Sequence, residues 1–221
     1  MRRILFAIIV GLGGAAILIS LGVWQVQRLG EKRVTLARIE NTISSPPIAL
    51  KDGVEPEFQR YVPVKMTGTF GQGHLRMLAS RKTTGAVYRV IRPFVADGYG
   101  LILVDTGWQL QSAAVANPPT GPVTLVGNLD APNETDGFTP APDIDQNIWF
   151  ARDVAAMARA LNTEPVLVVL RDAPAAELGV TPWPVDTVGI PNDHLQYAIT
   201  WFSLAVIWLG MSLYFLRRKK G

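Results

Sequence analysis

Two long runs without a charged residue restrict what this chain can fold into. The first extends from Ile4 to Val23, and the second extends from Tyr197 to Leu216. About 20 helical residues, rising about 1.5 Å each, cross the roughly 30 Å hydrocarbon core of a bilayer. A charge at mid-bilayer costs at least about 2.5 kcal/mol, so two uncharged runs of this length are informative. We therefore predict a membrane protein with a transmembrane helix at each end.

The first run has two other interpretations. Basic residues precede it, as in a cleaved signal peptide, but no convincing small-x-small cleavage site lies before Trp24. The glycines within residues 11–14 resemble a nucleotide-binding loop, but no strand precedes them and the run is apolar throughout. Gly11 and Ala15 are four residues apart, and this spacing favours a helix face that packs closely against another helix.

Basic residues at the ends of the runs predict the topology. Residues 217–220 are all arginine or lysine, whereas Asp186 and Asp193 precede the second run with no basic residue nearby. The positive-inside rule then places both termini in the cytoplasm and the middle of the chain outside. The basic residues within 28–33 disagree, but long domains cross membranes largely regardless of their charge. In a bacterium, the protein is a multi-pass inner-membrane protein with a periplasmic middle domain.

The predicted organisation has three parts. Residues 1–26 form an N-terminal transmembrane helix, residues 27–193 form a periplasmic α+β domain, and residues 194–221 form a C-terminal transmembrane helix with a basic cytoplasmic tail. We predict that the middle domain is mostly antiparallel β and barrel-like.

The local sequence patterns predict the elements of the middle domain. Apolar residues at helical spacing predict a helix from Trp24 to Ile43, which ends at the Ser-Ser-Pro-Pro sequence of residues 44–47. Asp153 is predicted to cap a helix through Leu161. A hairpin turn is predicted at Asp97-Gly98. Strands rich in β-branched and aromatic residues are predicted at Tyr61–Phe70, His74–Leu78, Tyr88–Phe94, Leu101–Trp108, Val123–Leu129 and Val166–Leu170.

Composition excludes several functional classes. The chain has no cysteine, which excludes disulfides, thiol catalysis and thiolate metal sites. The net charge of +3 comes with no basic stripe interleaved with aromatic residues, so we predict no nucleic-acid partner. The two histidines are His74 and His194, and no G-x-S-x-G motif is present, so we predict no catalytic residues and no enzyme. Asp143 and Asp145 are interpreted as solvated loop carboxylates, and His74 as an ordinary surface or core residue.

His194 lies just before the second run, at the expected bilayer surface. Tyr197 and Trp201 follow it at positions +3 and +7 and therefore share its helix face. An imidazole beside aromatic rings suits axial ligation of haem, but the same residue types also serve as interfacial anchors. After the first run, Arg28 follows Trp24 by four residues. This arginine is suited either to a haem propionate or to lipid phosphate.

Four segments together carry a family resemblance. Two of them flank the apolar runs, namely residues 21–39, LGVWQVQRLGEKRVTLARI, and residues 192–205, NDHLQYAITWFSLA. Two lie in the middle, namely residues 92–108, RPFVADGYGLILVDTGW, and residues 148–158, IWFARDVAAMA. In this order they resemble the signatures of the surfeit-one family, whose members assist cytochrome c oxidase assembly. Two departures are Thr106, where the family usually has arginine, and Asp193, which replaces an asparagine.

The resemblance implies an assembly factor of the aa3-type oxidase. Such a protein binds haem a and assists its insertion into the catalytic subunit, so the implied partners are oxidase subunit I, haem a synthase and membrane lipid. His194 matches the family's ligand to the haem iron, the one metal contact implied. Other signature positions fall on Trp24, Gln25, Arg28, Tyr197 and Trp201. The alternative is a haem-free scaffold or accessory subunit that stabilises an oxidase assembly intermediate.

Overall fold

A computed structural model describes residues 2–51, 55, 59–172 and 175–218. The chain divides into two compact units. One combines the chain up to Arg38 with the chain from Thr187 onward, and the other is Ile39–Asp186. The helices are α1 (Arg2–Ser44), α2 (Val154–Leu161), α3 (Ala175–Leu178) and α4 (His194–Arg218). The strands are β1 (Ile48–Ala49), β2 (Pro63–Phe70), β3 (Leu75–Arg81), β4 (Gly85–Ala96), β5 (Gly100–Leu110), β6 (Val123–Asp130), β7 (Ile148–Trp149) and β8 (Leu167–Asp172).

The two terminal helices contain the two uncharged runs. Both α1 and α4 are long and apolar enough to cross a membrane. Helix α1 continues without a break past the first run and ends at Ser44, as the sequence predicts. Two prolines follow at positions 46 and 47, and the residue before a proline disfavours helical geometry. The Ser45 hydroxyl donates a 2.8 Å hydrogen bond to the Thr42 carbonyl at this end.

The eight strands form one sheet in the order β1-β2-β6-β8-β5-β4-β3-β7. Strand β2 also pairs with β4 over Gly68–Phe70, so strands β2, β6, β8, β5 and β4 close into a ring. Gly68 makes this closure possible, because a Cβ there would collide with the carbonyl oxygen of Val95. The ring agrees with the predicted barrel-like arrangement. Each predicted strand coincides with an observed strand, and their ends differ by a few residues.

The prediction of a mostly antiparallel domain is wrong, because the sheet is mixed. Strands β5 and β8 run parallel, with Leu103 opposite Leu167, and the short strands β1 and β7 pair in parallel with β2 and β3. Parallel neighbours need a long crossover connection, which commonly contains a helix. Helix α2 lies in the connection that leads into β8. The sequence predicts α2 and β8, but an apolar run does not indicate the direction of a strand.

Apolar side chains fill both faces of the central strands. Alternate residues of β5 and β8 belong to two separate clusters, one containing Ile102 and Val168 and the other containing Leu103 and Leu167. The second cluster also includes Met157 of α2, which therefore covers the outer face of the ring. Asp153 caps α2 as predicted, because its carboxylate accepts a 2.9 Å hydrogen bond from the Ala156 amide.

Candidate functional site

Helices α1 and α4 face each other along one stripe of each helix. In α1 the buried stripe residues recur at steps of three, four or seven positions, at Gly11, Ala15, Gly22, Gln25 and Leu29. In α4 the buried and half-buried positions recur likewise, at His194, Ala198, Trp201, Ala205 and Ser212. This spacing keeps one face of each helix turned toward a partner helix. We call α1 and α4 the helix pair.

Glycines let the two helices of the pair approach closely. A Cβ at Gly14 would lie 2.5 Å from the Trp208 indole nitrogen, and a Cβ at Gly22 would lie 2.6 Å from the Phe202 ring. The Trp208 Nε1–H donates a 3.0 Å hydrogen bond to the Gly11 carbonyl. A Cβ at Gly11 would lie 3.0 Å from Ser212, and Ala15 is 4% exposed, so the predicted close-packing face of these two residues is confirmed.

His194, the first residue of α4, contacts α1 through Gln25. Its Nδ1 lies 2.8 Å from the Gln25 Oε1. An amide oxygen only accepts hydrogen bonds, so Nδ1 carries the proton and donates it. In the tautomer that has its proton on Nδ1, the lone pair lies on Nε2, which has no hydrogen-bond partner among the described residues. A histidine that ligates a metal through one nitrogen commonly donates the other N–H to an acceptor in this way.

Trp24 and Arg28 form a separate contact on α1. The Arg28 guanidinium lies 5.8 Å from the centre of the Trp24 ring and 2.7 Å from the Glu31 carboxylate. Both side chains are about half exposed. Successive helical residues point about 100° apart, so Trp24 lies off the stripe that contains Gln25. Among the described contacts, none joins Trp24 or Arg28 to His194.

The two predicted aromatic residues of α4 also differ in their surroundings. Trp201 is half-buried and lies on the stripe of the helix pair, two turns after His194. Tyr197 is 54% exposed and lies beside that stripe. The structure therefore places His194 and Trp201 on the contacting face and leaves Tyr197, Trp24 and Arg28 outward.

Gln25 is not among the haem-binding residues predicted from the sequence, although it contacts His194. It matches a signature position of the resembled family, but the residue pattern alone does not assign it a role. A signal was present in the sequence, because Gln25 continues the spacing of Gly11, Ala15 and Gly22 along one helix face. It is 8% exposed, whereas the adjacent Trp24 is 47% exposed.

The sheet domain, Ile39–Asp186, pairs most of its buried charges. Arg89 Nε lies 2.6 Å from an Asp105 carboxylate oxygen, and the Arg89 guanidinium stacks on the Trp183 ring at 4.6 Å. The other Asp105 oxygen accepts a 3.1 Å hydrogen bond from the Gly107 amide. Thr106, where the resembled family usually has arginine, is fully buried and donates its hydroxyl to the Val90 carbonyl at 2.9 Å. This threonine therefore helps to join β4 and β5.

A second group of paired charges surrounds Arg152. Its guanidinium bonds to Glu134 at 2.5 Å and to Asp130 at 3.0 Å. Burial alone would raise the pKa of Glu134, but hydrogen bonds and the charge of Arg152 outweigh that effect and hold this pKa below its usual value. Within the described part of the chain, no group of three or more His, Asp or Glu residues is placed to hold a metal ion.

Comparison with known proteins gives a consistent family match. The model of the SURF1 family matches residues 12–206. A SURF1-like protein of Rickettsia bellii is 32% identical over 86% of this chain and 82% of its own length. Surfeit locus protein 1 of Xenopus tropicalis is 32% identical over 84% of this chain and 67% of its own length. The human Surfeit locus protein 1 is 30% identical, over 84% of this chain and 69% of its own length.

Proposed function

The chain belongs to the SURF1 family, and from this premise we propose that it is an assembly factor of the aa3-type cytochrome c oxidase. In this proposal it binds haem a and assists its insertion into the catalytic subunit, subunit I. Haem a synthase is the proposed source of the haem, which is cargo rather than a resident cofactor. The single observation that carries the proposal is the hydrogen bond between His194 and Gln25.

The geometry of His194 fits an axial ligand of haem iron. Donation from Nδ1 to Gln25 leaves the Nε2 lone pair available, and a neutral imidazole nitrogen is a common ligand of haem iron. His194 as a whole is half-buried, so part of this residue is open to a ligand. Gln25 acts as a positioning residue, because it fixes both the tautomer and the direction of the ring. When bound, haem supplies redox and oxygen chemistry to the oxidase rather than to this protein.

The outward residues of the helix pair suit the rest of an amphipathic ligand. Tyr197 and Trp24 each expose about half of their surface, so both present apolar ring area. Arg28 is suited to a carboxylate such as a propionate, because a guanidinium can donate two parallel hydrogen bonds to it. Arg28 would have to leave its exposed ion pair with Glu31, and such pairs contribute at most about 1 kcal/mol.

We place the protein in the bacterial inner membrane with both termini in the cytoplasm. Helices α1 and α4 are long and apolar enough to span it, and the outward surfaces of both are rich in exposed aliphatic and aromatic side chains. The basic residues Arg217 and Arg218 end α4. By the positive-inside rule, the sheet domain then lies in the periplasm and His194 lies at the outer surface of the membrane. No catalytic residue is assigned, and the protein is proposed to be a carrier rather than an enzyme.

The test is the absorption spectrum of protein purified after co-expression with the haem a synthesis enzymes. Wild type is compared with His194→Ala and with His74→Ala, since these are the two histidines of the chain. We expect haem a in wild type and in His74→Ala, and its loss in His194→Ala. The same preparations are assayed for co-purifying oxidase subunit I.

The rival function is that of a haem-free scaffold or accessory subunit. It predicts colourless wild-type protein that co-purifies with the oxidase in equal amount. If His194→Ala retains haem, the protein is still a carrier, but His194 is not the ligand of its haem.

A further inference from the structure

A pocket in the sheet domain contains a buried arginine that pairs with no acidic residue in the described part of the chain. The pocket has a volume of about 640 Å³ and lies between residues 70–74, which lead into β3, and residues 115–121, which precede β6. Arg92 of β4 and His74 both line it. Nothing in the proposed carrier function uses this pocket.

Arg92 differs from the other buried arginine of β4 in its contacts. It is 2% exposed, and its only described hydrogen bond runs from Nη2 to the Ala116 carbonyl at 2.5 Å. Its Nε–H is buried without a partner, and no described carboxylate forms an ion pair with it. Arg89, three residues earlier, is neutralised by Asp105. An unneutralised buried charge is unfavourable, and a bound counter-ion relieves it.

His74 adds a second polar group to the same pocket. It is half-buried, and its backbone carbonyl is held by a 2.9 Å hydrogen bond from the Asn147 amide group. Burial, followed by the nearby charges of Arg92 and Arg76, lowers the pKa of His74 below its usual value of 6.5. At neutral pH the ring is therefore neutral, and it still offers one N–H donor.

We propose that this pocket binds a small organic acid, with its carboxylate on Arg92 and within reach of His74. Arg92 is the one arginine among the described residues that line the pocket, and a single guanidinium there matches a monoanion better than a dianion. Phe70, Val115 and Pro118 form an apolar part of the lining. A pocket of this size exceeds an inorganic ion and suits a ligand that has an apolar body beyond its acid group.

The carboxylate would act on His74 as well as on Arg92. A negative charge near an imidazole favours its protonated form, so binding raises the pKa of His74. The described charged groups around that ring are Arg92 and Arg76, both positive. An increase in the pKa of His74 therefore reports occupation of the pocket directly.

The experiment uses the full chain with the substitution His194→Gln, which leaves His74 as the one histidine. The ring signals of labelled His74 are followed by NMR as a function of pH, with hexanoate, acetate, phosphate or chloride added at equal ionic strength. We expect a saturable increase in the pKa of His74, at a lower concentration of hexanoate than of acetate. Three results would each overturn the proposal: phosphate raising this pKa at a lower concentration than hexanoate does, equal effects of all four anions, or no saturable change.

Substitutions of Arg92, with a control at another arginine, assign the effect to Arg92. Arg92→Met keeps much of the side-chain volume and removes the charge, and we expect it to abolish the response to hexanoate. Arg159→Met, an exposed arginine of α2, is the matched control and should respond as the parent does. If Arg92→Met does not fold, Arg92→Lys keeps a positive charge but lacks the Nε–H, and we expect at least a tenfold weaker response. An undiminished response in Arg92→Lys would then contradict the assignment.

Discussion

In the helix pair, small residues of α1 lie against larger side chains of α4. Two of the described hydrogen bonds cross between the helices, His194 with Gln25 and the Trp208 indole with the Gly11 backbone carbonyl. In the sheet domain the core is apolar on both faces of the central strands, and charged side chains are buried next to this core. Asp105 and Asp130 are each less than 4% exposed, and both bond to arginines.

The difference follows from what each region has to pack. Helices satisfy their own backbone groups, so the helix pair depends on close packing and needs few polar contacts. A closed sheet also carries loops and a crossover connection, which have no regular backbone hydrogen bonds to fix them. Buried ion pairs attach these segments to the sheet. Nε2 of His194 and the guanidinium of Arg92 lack such a partner among the described residues, since Nε2 has no hydrogen bond and Arg92 has no ion pair. Both are therefore candidates for ligand binding.

Asp105→Ala should have the largest effect on stability, and should destabilise the sheet domain without affecting the helix pair. It leaves Arg89 buried without its counter-charge, which destabilises by about 3–5 kcal/mol. Chemical denaturation of the full chain, followed by circular dichroism of the sheet, measures the loss. Asp145→Ala, at an exposed loop position, is the control and should change stability by less than about 0.5 kcal/mol. Equal effects of the two variants would contradict the importance of the buried pair.

Gly14→Leu should break the helix pair and leave the sheet domain intact. The new side chain would start 2.5 Å from the Trp208 indole, so the indole or the helices must move. The expected loss of stability is about 1–3 kcal/mol. Because the chain has no cysteine, a pair introduced at Gly11 and Ser212 reports the contact by disulfide formation. Gly13→Leu is the matched control, since nothing lies within 4 Å of a Cβ there. Undiminished crosslinking in Gly14→Leu would show that the close approach is unnecessary.

Gln25→Ala should alter function more than stability. Removing the acceptor releases the His194 ring, and loss of such a supporting contact typically weakens metal affinity about 10–100-fold. Titration of haem a into purified protein measures the dissociation constant. Gln27→Ala, an exposed glutamine on the same helix, should bind as wild type does. Equal affinities of the two variants would remove Gln25 from the site.

Glu134→Gln should have the smallest effect on the stability of the sheet domain, and this effect should be seen at neutral pH but not in acid. The carboxylate is partly exposed, so its bond to Arg152 contributes less than about 1 kcal/mol. Its pKa in the folded protein lies below the unfolded value of 4.5. The contribution is therefore complete above about pH 4.5 and is lost as the pH falls through the folded pKa. Stability curves of wild type and Glu134→Gln should converge in acid, whereas exposed Glu177→Gln should follow wild type throughout.

Sequence patterns predict the parts of this molecule that depend on local order. The helices at both ends, the cap at Asp153 and most strands follow from hydropathy, spacing and turn residues. Patterns do not predict that β8 runs parallel to β5, because strand direction depends on the path of the whole connection. The two-residue strands β1 and β7 are too short to carry a period.

The candidate site was predictable in part for the same reason. His194 stands out by its place before an apolar run, and Trp201 by its spacing. The partner of His194 depends on how α1 and α4 align, which their separate sequences do not specify. The pocket of Arg92 joins residues from distant loops, so a scan along the chain interprets His74 as an ordinary residue.

Chemical rescue of the missing imidazole tests most directly whether His194 is the haem ligand. His194→Gly is purified after co-expression with the haem a synthesis enzymes, and its absorption spectrum is recorded before and after free imidazole is added. If His194 supplies the axial nitrogen, the variant lacks the wild-type haem a spectrum and imidazole restores it. A wild-type spectrum without imidazole, or no response to imidazole in correctly folded protein, would contradict the role of His194 as the haem ligand.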